Sequence, residues 1–199
     1  MNTTGESTHT KAQLREQLRR RRAALSPRER VKAAQHAATH LMKTRWMMQS
    51  RHVAVYLAAG SELDTLVLIE RLWRAGKRVY VPRVLAGMRL SFHAYTPCTP
   101  LRANVHGIAE PSGGAPRRRV RGMDLVVLPL TAFDGGGNRL GSGAGYYDRA
   151  LKRRRPGGRP RLIGYAYAMQ EMPLLPADDW DVKLDAVVTD KGVRRWRTG

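Results

Sequence analysis

Arg139, three glycines at alternate positions and Asp148 fall within one short stretch, N-R-L-G-S-G-A-G-Y-Y-D, which runs from Asn138 to Asp148. A glycine costs roughly 0.5–1 kcal/mol relative to alanine inside a regular element. Gly141, Gly143 and Gly145 together therefore point to something that approaches the main chain closely. A glycine-rich turn that leads into a helix presents unpaired N–H groups and the positive end of the helix dipole, which attract an anion. A guanidinium such as Arg139 suits phosphate bidentately, and Asp148, in the first turn of the following helix, stands where a carboxylate can hold Mg²⁺ against bound phosphates. Tyr146 and Tyr147 add flat, amphipathic surface, although tyrosines at a helix start ordinarily pack. A flexible turn between strand and helix accounts for the glycines alone just as well.

Three common motifs do not fit this stretch. Walker A requires G-x-x-x-x-G-K-[ST]; Gly136 and Gly141 have the spacing, but Ser142 stands where lysine is needed. The dinucleotide fingerprint requires G-x-G-x-x-G, whereas Gly141, Gly143 and Gly145 form G-x-G-x-G. A nucleophile elbow would need glycine where Leu140 stands.

The elements that must position these residues follow from periodicity. Residues 11–25 predict a helix with Leu14, Leu18 and Leu25 near one face and arginines on the other. Ser26, Pro27 and Glu29 form the start of a second helix with a capping box, so two helices precede any strand. The run V-A-V-Y-L-A from Val53 reads as a strand covered on both faces. Asp64 or Thr65 then caps a helix carrying Leu66, Ile69, Leu72 and Trp73, which Gly76 ends, and K-R-V-Y-V-P-R-V is the next strand. A strand over residues 89–95, a long loop over 96–121, a buried strand over 123–130 running straight to the glycine stretch, a helix over 146–155, and strands near 162–167 and 184–189 complete the pattern. Alternating helices and buried strands predict an α/β fold, an open and mostly parallel sheet flanked by helices with two helices at the N-terminus. Ligands in such sheets bind beyond the carboxyl ends of strands.

The chain of 199 residues fits one domain, expected over 11–199 after a disordered N-terminus over 1–10. The single cysteine, Cys98, excludes an internal disulfide, and no Cys/His spacing suits zinc. With no apolar leader at the N-terminus and no long apolar run, a cytoplasmic protein that does not enter the membrane is expected. Lys and Arg total 36 against 16 Asp and Glu, a formal charge of +20, which favours anionic partners of some class.

The residues now resemble a known family, 5-formyltetrahydrofolate cyclo-ligase, also called 5,10-methenyltetrahydrofolate synthetase. Its R-L-G-x-G-x-G-Y-Y-D signature is matched by Arg139 to Asp148, and the preceding P-x-x-x-F-D by Pro129 to Asp134. The order continues along the chain: K-x-x-L-R from Lys11 to Arg15, S-x-x-E-R from Ser26 to Arg30, G-I-x-E-P from Gly107 to Pro111, and D-x-x-x-D-x-x-x-T-D from Asp181 to Asp190. The chain departs from the family's usual pattern at Ser142, often aromatic or basic, at Ala109, commonly proline, and at Trp180, usually histidine.

The resemblance implies a NagB/RpiA/CoA transferase-like fold and conversion of 5-formyltetrahydrofolate to 5,10-methenyltetrahydrofolate, with ATP as co-substrate and Mg²⁺. It implies ATP contacts from Lys11, Arg15 and the run Arg139, Leu140, Gly141, Ser142, Gly143, Ala144, Gly145, Tyr146 and Tyr147, of which Arg139 and Tyr147 would be catalytic. Leu57 and Glu62, with Ser142 to Tyr146, would border the folate, Glu62 accepting N–H donors of the pterin; Asp148 and Asp181 would hold the metal. On residue chemistry alone, Lys11 and Arg15 read as a solvated face, Glu62 as a helix-start carboxylate, Leu57 as core and Asp181 as part of an acidic loop. The partners implied are the two small molecules, in a monomer or homodimer. A rival reading, a basic nucleic-acid-binding protein on the same fold, rests on the charge and on the arginines at 19–22 and 117–121. A third keeps the ATP-dependent enzyme and changes its substrate.

Overall fold

The computed structural model describes residues 10–105, 107–155 and 157–196. The expected N-terminal disorder falls outside the described residues except at Thr10, which caps the first helix, α1 (Lys11–Ala23), through its hydroxyl and Gln13. Helix α2 (Pro27–Met42) starts as the sequence predicts, with Ser26 and Glu29 bonding each other's backbone. A third helix, α3 (Arg45–Gln49), intervenes before any strand because the Thr44 hydroxyl accepts from Met47 N and caps one further turn.

After β1 (His52–Ala54) comes α4 (Leu66–Arg74), where Asp64 rather than Thr65 supplies the cap, accepting from Leu66 N at 2.8 Å. Strands β2 (Arg78–Leu85) and β3 (Arg89–Ala94) form a hairpin. The expected long loop over 96–121 instead holds short strands β4 (Leu101–Ala103), β5 (Ala109–Pro111) and β6 (Arg117–Arg118). They lack the alternating apolar pattern, and β4 pairs only with β5. Strand β7 (Leu125–Leu128) does not run straight into the glycine stretch. A hairpin of β8 (Ala132–Asp134) and β9 (Arg139–Leu140) lies between them, after which α5 (Tyr146–Leu151) ends well before residue 155. Strands β10 (Arg161–Tyr165), β11 (Glu171–Met172), β12 (Ala186–Thr189) and β13 (Gly192–Arg195) close the chain.

Eight strands form the main sheet in the order β13-β12-β10-β7-β1-β2-β3-β6. The central five are parallel, and the edges are antiparallel. Its strands are apolar on both faces because both are covered. Val53, Val55, Leu125, Val127, Ile163 and Val188 pack with α2, α3 and α4 on one face. Ala54, Val126, Leu128, Leu162 and Val187 pack on the other, against Leu151 of α5 and Phe133 of β8. No helix among the described residues is long and apolar enough to cross a membrane.

A small sheet, β11-β8-β9, carries α1 on its surface, with Leu14 and Leu18 buried against Ala132 and Leu140. The sequence reading gave α1 one apolar face and one arginine face, yet Arg22 is only 6% exposed. It continues the Leu14–Leu18 row at the helical spacing of four and donates to Leu130 O at 3.4 Å.

Gly164 in β10 shows how closely the second face is filled. A Cβ there would lie 2.6 Å from Leu130 Cδ2 and 2.8 Å from Leu184 Cδ1. Gly164→Ala is expected to cost about 1–3 kcal/mol by overpacking. Urea unfolding should show a lower midpoint with an unchanged slope.

Candidate functional site

The loop after β9 is the wall between two cavities beyond the carboxyl ends of the central strands. The first has a volume of about 480 Å³ and is bordered by Lys11, Arg15, Arg139, Arg149 and Lys152 against Asp148, Asp178 and Asp181, five cations to three carboxylates. The second, about 400 Å³, is more apolar, with Tyr56, Leu57, Pro82, Leu90 and Ile108 around Glu62 and Tyr147. Arg139, Gly141, Ala144, Gly145 and Asp148 line both.

Arg15 Nε donates to Gly141 O at 2.9 Å, Arg19 Nη2 to Ser142 O at 3.2 Å, and Arg149 to Ala144 O. The loop's carbonyls are thus drawn back by arginines, while none of the N–H groups from Gly141 to Gly145 donates to a described residue. Gly143 at φ +113° and Gly145 at φ +63° make this shape possible, since residues with a Cβ rarely adopt it. The result is a strip of open donors in the wall of a cationic cavity, which suits the oxygens of a polyphosphate. The α5 dipole adds little, because that helix has only six residues; side chains from α1, from β9 and from α5 and its end carry the charge.

Arg139 is fixed in this wall by Asp148, its Nη2 donating to Asp148 Oδ1 at 2.5 Å with the Arg139 side chain 4% exposed. Its Nε is buried without an acceptor. The guanidinium is therefore oriented by one carboxylate and keeps donor capacity at the junction of the cavities.

In the second cavity, Glu62 Oε2 accepts from Ala59 N at 3.0 Å. Burial raises its pKa, opposed by that hydrogen bond and by the nearby charges of Arg22 and Arg19. The Tyr147 hydroxyl is held protonated, first by burial and then by the charge of Glu62.

Lys11 Nζ bonds Asp178 Oδ2 at 2.7 Å and Asp181 Oδ2 at 3.3 Å, so neither Lys11 nor Arg15 lies on a merely solvated face. Asp148 Oδ1 also accepts from Val182 N at 3.2 Å. Asp148 Oδ2 and Asp181 Oδ1 accept nothing from the described residues. No group of three or more His, Cys, Asp or Glu that could hold a metal alone occurs among the described residues. Two carboxylates with an open oxygen each, bordering a polyphosphate-sized cavity, fit Mg²⁺, which takes one or two protein carboxylates and completes its shell with phosphate oxygens and water.

The structure brings all the sequence-predicted residues to these two cavities but divides them differently. Ser142, Tyr146, Tyr147, Leu57 and Glu62 border only the second cavity, Gly143 and Asp181 only the first. Leu140 borders the first cavity but is buried in the α1 packing, 3% exposed. Trp180 lines the first cavity and Ala109 the second, so all three departures from the family pattern border a cavity.

Sequence reasoning missed Arg149, Lys152, Met88 and the buried Arg22. Arg149 directly follows the signature. Its Nε donates to Met88 O at 3.1 Å, at the tip of the β2–β3 hairpin, and its guanidinium lies 5.6 Å from the centre of the Tyr146 ring. Met88 itself has φ +56°, uncommon for a residue with a side chain. Arg149→Ala is expected to release that tip: amide exchange at residues 86–89 should accelerate at least about tenfold, while global stability changes by less than about 1 kcal/mol.

A model of the 5-formyltetrahydrofolate cyclo-ligase family matches residues 7–190. The chain is 40% identical to the 5-formyltetrahydrofolate cyclo-ligase of Escherichia coli strain K12 over 185 residues, covering 90% of this chain and 100% of that one. It is 30% identical to the Mus musculus enzyme of the same name, over 88% and 91% of the two chains. The NMR structure of Aquifex aeolicus 5,10-methenyltetrahydrofolate synthetase superposes with a TM-score of 0.82 at 34% identity, over 95% of this chain and 94% of that chain.

Proposed function

The chain belongs to the 5-formyltetrahydrofolate cyclo-ligase family, and from that premise we propose that a single domain over residues 11–199 converts 5-formyltetrahydrofolate and ATP into 5,10-methenyltetrahydrofolate, ADP and phosphate. The observation that carries this reading is the shared wall: one loop, with Arg139 fixed in it, separates a cationic cavity from a more apolar one. Two substrates must meet for one group to pass between them.

The triphosphate occupies the first cavity, against Lys11, Arg15 and the open N–H groups from Gly141 to Gly145. The folate occupies the second, its pterin N–H groups donating to Glu62 beside Leu57. The formyl oxygen attacks the γ-phosphorus, the bond to the β,γ-bridging oxygen breaks and ADP forms. N10 then adds to the activated formyl carbon, the C–O bond to phosphate breaks, and N10 loses its proton. An amide-like oxygen is a poor leaving group until it is phosphorylated, and such transfer is catalysed mainly by positioning and charge neutralisation. Arg139 supplies both at the junction. The protonated Tyr147 hydroxyl offers a neutral donor beside Glu62. Asp148 and Asp181 would hold Mg²⁺, which when bound neutralises charge on the phosphates.

Absorbance of the methenyl product, followed with Mg-ATP and 5-formyltetrahydrofolate, tests the reading; folded protein that forms no product overturns it. Arg139→Lys, which keeps the charge and loses the planar fork, should lower kcat/KM at least about 100-fold.

Glu62→Gln separates the pterin site from the alternative of another acceptor on the same scaffold. Loss of a charge-assisted bond of about 1.5 kcal/mol raises the folate KM about tenfold, with the ATP KM unchanged. Glu62 binds its proton more tightly than an ordinary glutamate, so the carboxylate that accepts pterin donors is lost as pH falls through that raised pKa. Folate kcat/KM should therefore decline on acidification earlier than an ordinary glutamate would dictate, and Glu62→Gln should flatten that limb. A folate KM indifferent to this substitution assigns the second cavity to a different substrate.

A further inference from the structure

The opposite end of the main sheet, where the parallel strands begin, carries a second concentration of cations. Arg51 precedes β1, Arg78 opens β2, Arg161 opens β10, and Arg195 closes the antiparallel β13. The backbone ties this end together: Arg78 N donates to Arg51 O at 2.8 Å, Asp124 N to His52 O at 2.9 Å, and Arg161 N to Asp124 O at 3.0 Å. From β2 to β13 the sheet order gives five inter-strand steps, about 24 Å at about 4.8 Å a step.

None of these four side chains has a hydrogen bond or ion pair with a described residue. The nearby carboxylates are already engaged. Asp124 accepts from Arg159 at 2.6 Å and from the N–H groups of Arg51 and His52, both at 2.9 Å, and Asp185 is paired with Arg154. Arg161 and Arg195 lie instead over the half-buried Trp46, 5.8 Å and 4.5 Å from its ring centre. The field at this end is felt by His52, whose pKa is lowered first by burial and then by Arg118, with Arg78 and Arg51 acting in the same sense against Asp124. Like charges held together without counter-charges disfavour the compact state unless an anion sits among them.

We propose that this row is a docking strip for the phosphate backbone of a single-stranded RNA, separate from the two cavities. Guanidiniums take phosphate oxygens bidentately. The two that lie on Trp46 offer planes for unpaired bases to stack on, which a duplex withholds. A strip of about 24 Å contacts several successive phosphates, and with no base-reading motif beside it the binding is independent of sequence. Arg15 and Arg19 of the N-terminal arginine-rich helix point instead to the glycine loop, so this surface differs from the one that the first arginine cluster of the sequence suggested, whereas Arg118 of the second acts on His52 at this end.

The test is fluorescence anisotropy of a labelled oligouridine of about 20 nucleotides, longer than the roughly 4–16 that a single-strand site covers. Binding at micromolar protein or below is expected in about 0.15 M salt. R51A/R78A and R161A/R195A should each weaken it at least about tenfold and reduce the salt slope by about 1.4, two phosphates at about 0.7 each. R21A/R28A removes the same charge from exposed positions elsewhere and should stay within about twofold of the parent. Circular dichroism melts verify that every variant is folded, independently of any enzymatic activity. The proposal is overturned by no binding at that salt, by equal losses in R21A/R28A, by a duplex of the same length binding as tightly, or by retention on phosphatidylserine vesicles without RNA binding.

Discussion

The burial of Leu14 and Leu18 against Ala132 and Leu140 is the contact on which both cavities depend. Two fully buried leucines contribute about 3–6 kcal/mol. The ion pairs of Lys11 with Asp178 and Asp181, whose side chains are 24–41% exposed, contribute about 1 kcal/mol or less. Apolar packing, not charge, therefore seats α1. That division matters, because cations held in place by leucines elsewhere on the helix can exchange a carboxylate or a loop carbonyl for a ligand without releasing the helix. Arg15 and Arg19 then draw the glycine loop's carbonyls to one side, and its N–H groups are left without an acceptor among the described residues.

The parallel core was legible because V-A-V-Y-L-A and M-D-L-V-V-L carry continuous apolar runs, and Ser26 to Glu29 announced its capping box. The small sheet was not. Its strands β8, β9 and β11 hold two or three residues each, too few for a period to emerge. The tie that shapes it is an aspartate, Asp134, whose carboxylate accepts from Gly136 N, Asn138 N, Asn138 Nδ2 and Leu175 N. A buried carboxylate with four donors gives no more signal in the sequence than an aspartate in a turn.

Residues of the site were readable to the extent that the signature kept them in register. Arg139 to Asp148 stood out, Glu62 entered only through the family resemblance, and Arg149 was passed over although it immediately follows the signature. Arg22 was hidden for a physical reason: a run of four arginines on a helix reads as a wet surface, and only the spacing from Leu14 and Leu18 distinguishes the one that turns inward. The two ends of the sheet illustrate the same limit. Composition reports a charge of +20 but not that the side chains of Lys11, Arg15 and Arg139 at the carboxyl end meet carboxylates or loop carbonyls while those of Arg51, Arg78, Arg161 and Arg195 at the amino end meet none among the described residues.

Arg22 also shows how the second cavity is tuned. Its guanidinium is buried, its Nε has no acceptor, and burial lowers its pKa, with the charge of Glu62 the first influence opposing that shift. Glu62 in turn is pushed toward its neutral form by burial and restrained by the Ala59 N–H and then Arg22. Each charge is costly alone and less costly with the other present, so the helix that carries Lys11 and Arg15 also bears on the protonation of the carboxylate across the loop. A chain that needed only stability would place leucine at position 22 and extend the Leu14–Leu18 row. Retaining an incompletely satisfied arginine there makes sense where the carboxylate it supports must stay ionised to accept a donor.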